Sequence, residues 1–163
     1  MSKLNVDQKT IMLLFSERRS EFLIPDYQRP YAWEEEQCQT LWDDIFTFAF
    51  PNNNYQNFNK DDEYFLGSIV TYKNSNDQLE VIDGQQRLTT LLLLLRAFYV
   101  KFSNMQDTNS LRTKEMIAQC IWKTNEFGEA DLNTLKIDSE VATDNDKEEF
   151  LNILKTGTVS LEQ

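Results

Sequence analysis

Apolar residues recur at helical spacing in five segments of the chain, which predicts five helices. The segments are Asp7 to Arg18, Glu34 to about Pro51, Leu88 to Phe102, Leu111 to Trp122, and Asn145 to Lys155. The first has Asp7 available as an N-cap. The third is apolar nearly all round, because Leu93 and Leu94 fill the face that its other leucines leave open. We therefore expect this third helix to form the buried centre of the fold.

Shorter runs of β-branched and aromatic residues predict strands. The predicted strands are Glu21 to Ile24, Tyr64 to Tyr72, Gln78 to Ile82, and Leu132 to Ile137. The second and third form a hairpin around a polar turn, and the polar run Pro51 to Lys60 is predicted to be a surface loop. No repeat and no Pro- or Gly-rich linker divides the chain. The prediction is a single α/β unit of the α+β kind over residues 1–163, in which a small mixed sheet packs against several helices.

The composition fits one globular domain and excludes several kinds of catalysis. The chain has 163 residues, of which 40% are hydrophobic, enough to bury a sizeable core. It contains no histidine, which removes Ser-His-Asp and Cys-His nucleophile systems, HNH nuclease chemistry and every His-ligated metal site. Its two cysteines, Cys38 and Cys120, are too far apart in sequence to form a C-x-x-C motif.

Charge and hydropathy bear on the partners and location of the protein. The chain carries 16 Lys plus Arg against 27 Asp plus Glu, a net charge of -11. This disfavours nonspecific binding to DNA or anionic membranes, although a local basic patch can exist on an acidic protein. The most apolar run, Leu88 to Val100, contains Arg96 and is too short to span a bilayer. We therefore expect a soluble, cytoplasmic protein with no membrane partner.

The first candidate binding segment is Ile24-Pro25-Asp26-Tyr27-Gln28-Arg29-Pro30-Tyr31-Ala32-Trp33. Two prolines stiffen this loop, which carries one guanidinium, one amide, one carboxylate and three aromatic rings. A guanidinium can bind a phosphate through two parallel hydrogen bonds, and the rings can stack on a base or close the pocket. In the alternative interpretation, the three rings pack on the core and Arg29 forms an ion pair with Glu34 or Asp26.

The second candidate segment is Val81-Ile82-Asp83-Gly84-Gln85-Gln86-Arg87-Leu88-Thr89-Thr90, at the predicted joint between a strand and the central helix. The free amides of Gln85, Gln86 and Arg87 would point out of the helix start, where an anion is favoured. A cation in the first turn, such as Arg87, opposes the helix dipole by about 0.3–1 kcal/mol, and a bound phosphate would convert that cost into a benefit. Alternatively, Asp83 neutralises Arg87.

Each segment contains a Gln-Arg pair, Gln28-Arg29 in the first and Gln86-Arg87 in the second. If the two pairs converge, their guanidiniums form an anion-binding site. Neither segment contains G-x-x-x-x-G-K-[ST] or G-x-G-x-x-G, so a nucleotide would be bound with another geometry. Thr89 and Thr90 follow, but a threonine within a helix more often bonds its own backbone, and we place both outside the core site.

Taken together, the two segments resemble the N-terminal domain of GmrSD-type restriction endonucleases, a family similar in core fold to the ParB and sulfiredoxin group. The resemblance covers roughly Asp7 to Lys155. The D-G-Q-Q-R motif of the family falls on Asp83, Gly84, Gln85, Gln86 and Arg87, and its first motif falls on Tyr27, Gln28, Arg29, Tyr31 and Trp33. The resemblance implies a ParB/sulfiredoxin-like core and a nucleotide-dependent domain in bacterial defence against phage DNA that carries modified bases or backbones.

In proteins of this kind, the domain binds and hydrolyses a nucleoside triphosphate, often GTP or UTP, and couples hydrolysis to a nuclease. The nuclease is usually a His-containing HNH domain at the C-terminus or on a partner subunit. Because this chain has no histidine, the resemblance implies that it is a fragment of a longer protein or works with another subunit. Many relatives associate as dimers, so the resemblance also implies a homodimer, although no heptad pattern in this chain indicates one.

These considerations lead to one mechanism and two alternatives. The resemblance implies that the first-motif residues bind the nucleotide together with Gly84, while Arg87 and Arg29 hold phosphate oxygens. Gln85 or Gln86 orients the attacking water, and Asp83 positions Mg²⁺ or the neighbouring arginine. The first alternative is a regulatory module that senses DNA or nucleotide without hydrolysis. The second is a ParB-like domain that nicks DNA directly.

Overall fold

The computed structural model describes residues 6–17, 21–141 and 145–158. Five α-helices lie within these ranges: α1 (Ile11–Ser16), α2 (Glu35–Ala49), α3 (Gln85–Phe102), α4 (Thr108–Ile121) and α5 (Asn145–Thr156). Six strands accompany them: β1 (Phe22–Ile24), β2 (Val70–Lys73), β3 (Leu79–Asp83), β4 (Trp122–Thr124), β5 (Ala130–Leu135) and β6 (Ile137–Ser139). Two short 3-10 turns, Pro51–Asn53 and Tyr55–Asn57, follow α2.

The larger sheet is mixed and has the strand order β2-β3-β1-β6. The central strand β1 runs parallel to both neighbours, with Phe22 opposite Leu79 of β3 and opposite Ile137 of β6. The edge strand β2 is antiparallel to β3, and β4 and β5 form a separate antiparallel pair. Because β1, β3 and β6 are parallel, their carboxyl ends lie at the same edge of the sheet, where ligands commonly bind in α/β proteins.

The core lies between the larger sheet and the helices α3, α4 and α5. Leu88, Leu91 and Leu92 of α3 are buried, as is Val81 of β3. The wider buried cluster includes Phe15, Phe22, Ile117, Ile121, Trp122, Ile137, Phe150 and Leu154. The apolar helix that follows the second segment is thus the centre of the fold, as its sequence predicts.

Two buried cations are held by backbone carbonyls. Arg96 of α3 donates from Nε to Leu154 O of α5 over 2.8 Å, and its guanidinium lies 5.0 Å from the centre of the Tyr99 ring. Lys136, between β5 and β6, donates from Nζ to Phe15 O over 2.7 Å and to Glu17 O over 3.2 Å. Burial lowers the pKa of Lys136. These contacts tie α5 to α3, and α1 to the sheet.

The α+β fold class and the five helices are confirmed, and several boundaries are corrected. Helix α1 is capped by Thr10, whose hydroxyl accepts from Leu13 N over 3.2 Å, and Asp7 does not cap it. Arg18, predicted as the last residue of this helix, lies outside the described residues. The segment 51–60 is a surface loop with two 3-10 turns.

The predicted strands differ more from the structure than the helices do. The first strand of the hairpin begins only at Val70, because Tyr64 instead contacts α2, where its hydroxyl donates to Asp44 over 3.1 Å. The strand predicted from Leu132 to Ile137 is divided at Lys136, whose amide donates to Ile121 O and whose carbonyl accepts from Phe22 N. Strand β4 continues directly from α4 and carries no turn signal of its own. No helix in the described part of the chain is long and apolar enough to cross a bilayer.

Candidate functional site

The two candidate segments meet at the carboxyl edge of the larger sheet. The first follows β1, the second follows β3, and together they line a cavity of about 400 Å³. The lining residues are Gln28, Arg29, Trp33, Ser68, Ile82, Asp83, Gly84, Gln85, Gln86 and Arg87. Cavities of roughly 300–1,000 Å³ are typical of small-ligand sites. The convergence of the two Gln-Arg pairs, which the sequence leaves conditional, is therefore present in the structure.

Gln86 joins the two segments. Its Oε1 accepts from Ala32 N over 2.7 Å and from Trp33 N over 3.3 Å, and its Nε2 donates to Pro30 O over 3.1 Å. The side chain is 7% exposed. These bonds use both acceptor sites of the amide oxygen, so the structure assigns Gln86 to positioning the loop. Gln85 forms no side-chain hydrogen bond with a described residue. It is therefore the one of the two glutamines whose amide is free to orient a water.

Gln28 and Tyr31 also attach the first segment to the second. Gln28 Nε2 donates to Ile82 O over 2.9 Å. The Tyr31 hydroxyl lies 2.8 Å from Thr90 Oγ1 and 3.3 Å from Cys38 Sγ. Burial, reinforced by the hydrogen bond with Cys38, raises the pKa of Tyr31 to about 12. The loop is thus fixed in place by side chains from both signatures, which leaves Arg29 and Trp33 to face the cavity.

The aromatic rings of the first segment do not share one environment. Tyr27 is 63% exposed and lines neither this cavity nor a smaller neighbouring one. This corrects the alternative in which Tyr27 packs on the core, and neither cavity supports its predicted role in nucleotide binding, which stays a prediction. Trp33 is half-buried and lines the larger cavity. Its ring contacts no other aromatic ring among the described residues. Trp33 is therefore the ring best placed to stack on a ligand.

Neither candidate arginine is neutralised by a described carboxylate. Arg29 is exposed and forms no ion pair or hydrogen bond with a described residue. Arg87 Nη1 makes one long contact, 3.4 Å, with Ser68 O. Asp83 instead accepts from Gly84 N over 2.9 Å through Oδ1. Both ion-pair alternatives considered for these arginines are thus absent from the described part of the chain, and two guanidiniums face the cavity without a described carboxylate partner.

The start of α3 adds hydrogen-bond donors to the same cavity. Gly84 precedes the helix with φ of 89°, a left-handed conformation that favours glycine. The first intrahelical bond at this end is donated by Leu88 N to Gly84 O. The amides of Gln85, Gln86 and Arg87 therefore have no acceptor within the helix, as expected of a first helical turn. Such amides favour an anion, in line with the helix dipole.

A third segment, whose contribution was not foreseen from the sequence, also reaches the site: Ser68 lines the larger cavity and Gly67 lies against Arg87. Gly67 has φ of 121°, and a Cβ there would lie 2.3 Å from Arg87 Nη1. The guanidinium thus occupies space that only glycine leaves open. A glycine inside a predicted strand was the available signal, since it often marks a bulge or close approach of a neighbour.

The described residues contain no cluster of three or more Cys, Asp or Glu side chains that could hold a metal ion by themselves. Among the described residues that line the larger cavity, Asp83 is the one carboxylate. This donor set fits Mg²⁺ only where phosphate oxygens and water supply the remaining ligands, which is how Mg²⁺ is often held at nucleotide sites.

Comparison with known proteins identifies the family. No curated protein matches the chain. A family model for the GmrSD restriction endonuclease N-terminal domain matches residues 11–163, a range that contains both candidate segments and every described strand. The chain therefore belongs to the family of GmrSD restriction endonuclease N-terminal domains, which are components of restriction systems.

Proposed function

We propose that this domain binds a nucleoside triphosphate, of the GTP or UTP type, and hydrolyses it with Mg²⁺. The observation that carries the proposal is the convergence of Arg29 and Arg87, without a described carboxylate partner, on one cavity. In a protein with a net charge of -11, two unpaired guanidiniums beside a helix N-terminus favour a polyanion. The size of the cavity and the available Trp33 ring fit a nucleotide better than a simple ion.

Each lining residue has a role in this proposal. Arg29, Arg87 and the first amides of α3 bind phosphate oxygens, and Trp33 stacks on the base. Gln85 orients a water whose oxygen attacks the terminal phosphorus, so that the bond from phosphorus to the bridging oxygen breaks and the water protons leave with the products. Asp83 is the protein ligand for Mg²⁺, which would stabilise charge on the phosphate oxygens when bound.

Membership of a restriction-system family supports a proposal for the role of this domain in the wider system. We propose that nucleotide hydrolysis here licenses cleavage of modified phage DNA by a nuclease domain or partner subunit, since the chain has no histidine for HNH chemistry. Residues 1–163 would then act as one nucleotide-dependent domain, and a homodimer is the assembly we expect. DNA would be bound by the assembled protein, because an acidic domain is poorly suited to nonspecific DNA binding.

The proposal is tested by measuring phosphate release from GTP and UTP with Mg²⁺, in the presence and absence of DNA. Wild type should release phosphate, and Arg87→Ala should abolish release while the melting temperature stays within a few degrees. Arg112→Ala is the matched control, because Arg112 is an exposed arginine on α4 outside the lining of the cavity. Equal turnover in wild type and Arg87→Ala would contradict the assignment of the site.

One observation favours a second candidate, a domain that binds the nucleotide without hydrolysing it. The described residues that line the larger cavity include a single carboxylate, Asp83, and no other group that commonly serves as a general base. Tight binding by calorimetry with no phosphate release, even with DNA present, would support this sensing function over hydrolysis.

A further inference from the structure

A second, smaller cavity adjoins the proposed nucleotide site. Its volume is about 30 Å³, and Arg29, Gln85 and Gln86 belong to the linings of both cavities. Its far wall comes from two elements outside both sequence signatures, namely Ser139 at the end of β6 and Lys147 of α5. Thr89 of α3 also lines it. The smaller cavity thus extends the site toward the third parallel strand.

Two polar side chains in the lining of this cavity, Thr89 and Lys147, have no described hydrogen-bond partner. Thr89 is only 5% exposed, yet its hydroxyl forms no hydrogen bond with a described residue. The neighbouring Thr90 behaves as a helical threonine usually does and donates to Gln86 O over 2.8 Å. Lys147 likewise has no described hydrogen-bond or ion-pair partner. The Thr89 hydroxyl and the Lys147 ammonium are therefore free to donate hydrogen bonds to a group bound in the cavity.

The size and charge of the cavity indicate what it holds. A volume of about 30 Å³ admits a group of roughly the size of one water. Among the described residues, the lining contains two cations, Arg29 and Lys147, and no carboxylate. A water awaiting deprotonation needs a strong acceptor nearby, whereas an anionic oxygen needs donors and positive charge. The lining therefore favours an anionic oxygen.

We propose that this cavity binds an oxygen of the terminal phosphate of the nucleotide, and that Lys147 and Thr89 are further ligand-binding residues that distinguish a triphosphate from a diphosphate. This inference rests on the proposed function, because it places the rest of the nucleotide in the larger cavity. A diphosphate bound there leaves the smaller cavity without an anionic oxygen. The contacts of Lys147 and Thr89 then contribute to the affinity for triphosphates alone.

The test is a set of dissociation constants for GTP, GDP, UTP and UDP, measured with Mg²⁺ by calorimetry. Lys147→Gln and Thr89→Val should each weaken triphosphate binding about tenfold, a typical effect of losing one hydrogen bond to a charged group. Diphosphate binding should change less than about twofold. The controls are Lys155→Gln, on the last turn of the same helix, and Thr113→Val, a helical threonine on α4. Both controls should bind as wild type does.

The outcomes separate this inference from the proposal on which it rests. If wild type binds triphosphates and Arg87→Ala does not, but Lys147→Gln and Thr89→Val bind normally, the smaller cavity is not a terminal-phosphate site. The same conclusion follows if both variants bind normally and lose only turnover, which would place a water there. If wild type binds no nucleotide, the proposed function itself fails. Thr89→Val changes few atoms, so it keeps the test valid should Lys147→Gln disturb folding.

Discussion

The guanidinium of Arg87 lies where a side chain at Gly67 would begin. A Cβ on Gly67 would come within 2.3 Å of Arg87 Nη1 and 2.4 Å of Cζ, far inside van der Waals contact. The obstructing atoms belong to the flexible end of a side chain, so a larger residue at position 67 would displace the guanidinium rather than the backbone. Gly67 thus determines where Arg87 can point.

Gly67→Ala should therefore reduce nucleotide binding almost as much as Arg87→Ala, although residue 67 contributes no functional group. The matched control is Gly128→Ala, because Gly128 also has a positive φ, 78°, but a Cβ there meets nothing within 4 Å. Alanine in such a conformation destabilises by about 1–2 kcal/mol, so both variants should lose some stability and only Gly67→Ala should lose binding. Calorimetric titration with GTP or UTP, paired with urea unfolding, measures both effects.

Normal binding by Gly67→Ala alongside lost binding by Arg87→Ala would show that the guanidinium reaches the ligand from another position. Equal losses in Gly67→Ala and Gly128→Ala would attribute the effect to stability alone.

Gln85 and Gln86 are adjacent in sequence, and their substitutions should have different consequences. Gln86→Ala removes three hydrogen bonds to the loop that follows β1, so we expect a loss of about 2–3 kcal/mol in the free energy of unfolding together with weaker binding. Gln85→Ala should leave stability unchanged and lower turnover on the order of a hundredfold. Urea unfolding and phosphate release measure the two effects. A Gln86→Ala variant that is as stable as wild type and loses only turnover would contradict the positioning role of Gln86 and indicate a catalytic one.

The Tyr31 hydroxyl should make stability depend on pH in the alkaline range. Its pKa is raised to about 12 in the folded protein, chiefly by burial and then by the hydrogen bond with Cys38, whereas the unfolded value is near 10. The folded state therefore retains the proton more strongly, and this contribution is complete below about pH 10 and lost as the pH rises toward 12.

The measurement compares wild type with Tyr31→Phe by urea unfolding at pH 8 and pH 11. The advantage of wild type in the free energy of unfolding should be larger at pH 8 than at pH 11. An advantage of the same size at both values would mean that the hydroxyl ionises equally readily in the folded and unfolded chains.

Lys136→Met should destabilise the fold without acting on the site directly. The ammonium donates to Phe15 O and Glu17 O, and methionine of similar length fills the space but leaves these carbonyls without their donor. We expect a loss of about 1–3 kcal/mol in the free energy of unfolding. Lys60→Met, at an exposed loop position, should stay within about 0.5 kcal/mol of wild type. A Lys136→Met variant as stable as wild type would show that the buried charge costs as much as its hydrogen bonds contribute.

The central helix could be predicted from local sequence, whereas the meeting of the two signatures could be stated only as a condition. The leucines of α3 repeat at helical spacing, and Gly84 marks the turn that begins the helix, so burial of Leu88 and Leu92 follows from pattern alone. The signatures meet because β1 pairs in parallel with β3, a long-range contact that neither strand's own sequence specifies. The side-chain roles within them could not be predicted, because Gln85 and Gln86 differ only in which tertiary partners they meet.

Residues contributed by distant segments were beyond prediction for the same reason. Gly67 belongs to a run whose β-branched and aromatic composition favours a strand, and only its contact with Arg87 explains it. Lys147 is one of several charged residues on an amphipathic helix, and nothing in its neighbours distinguishes it from Lys155. Its place beside Arg29 depends on where α5 packs, and the contact between Arg96 and Leu154 helps to determine that packing.

Pairing of β1 with β6 joins residues separated by more than a hundred positions, with Phe22 opposite Ile137. When translation has reached only the end of α3, the nascent chain already contains both signatures. Strand β6, the second neighbour of β1, and Lys147 of α5 have not yet been synthesised. If the domain binds a nucleotide as proposed, it would reach full affinity only after α5 has been translated, and that affinity would then be a measure of complete folding.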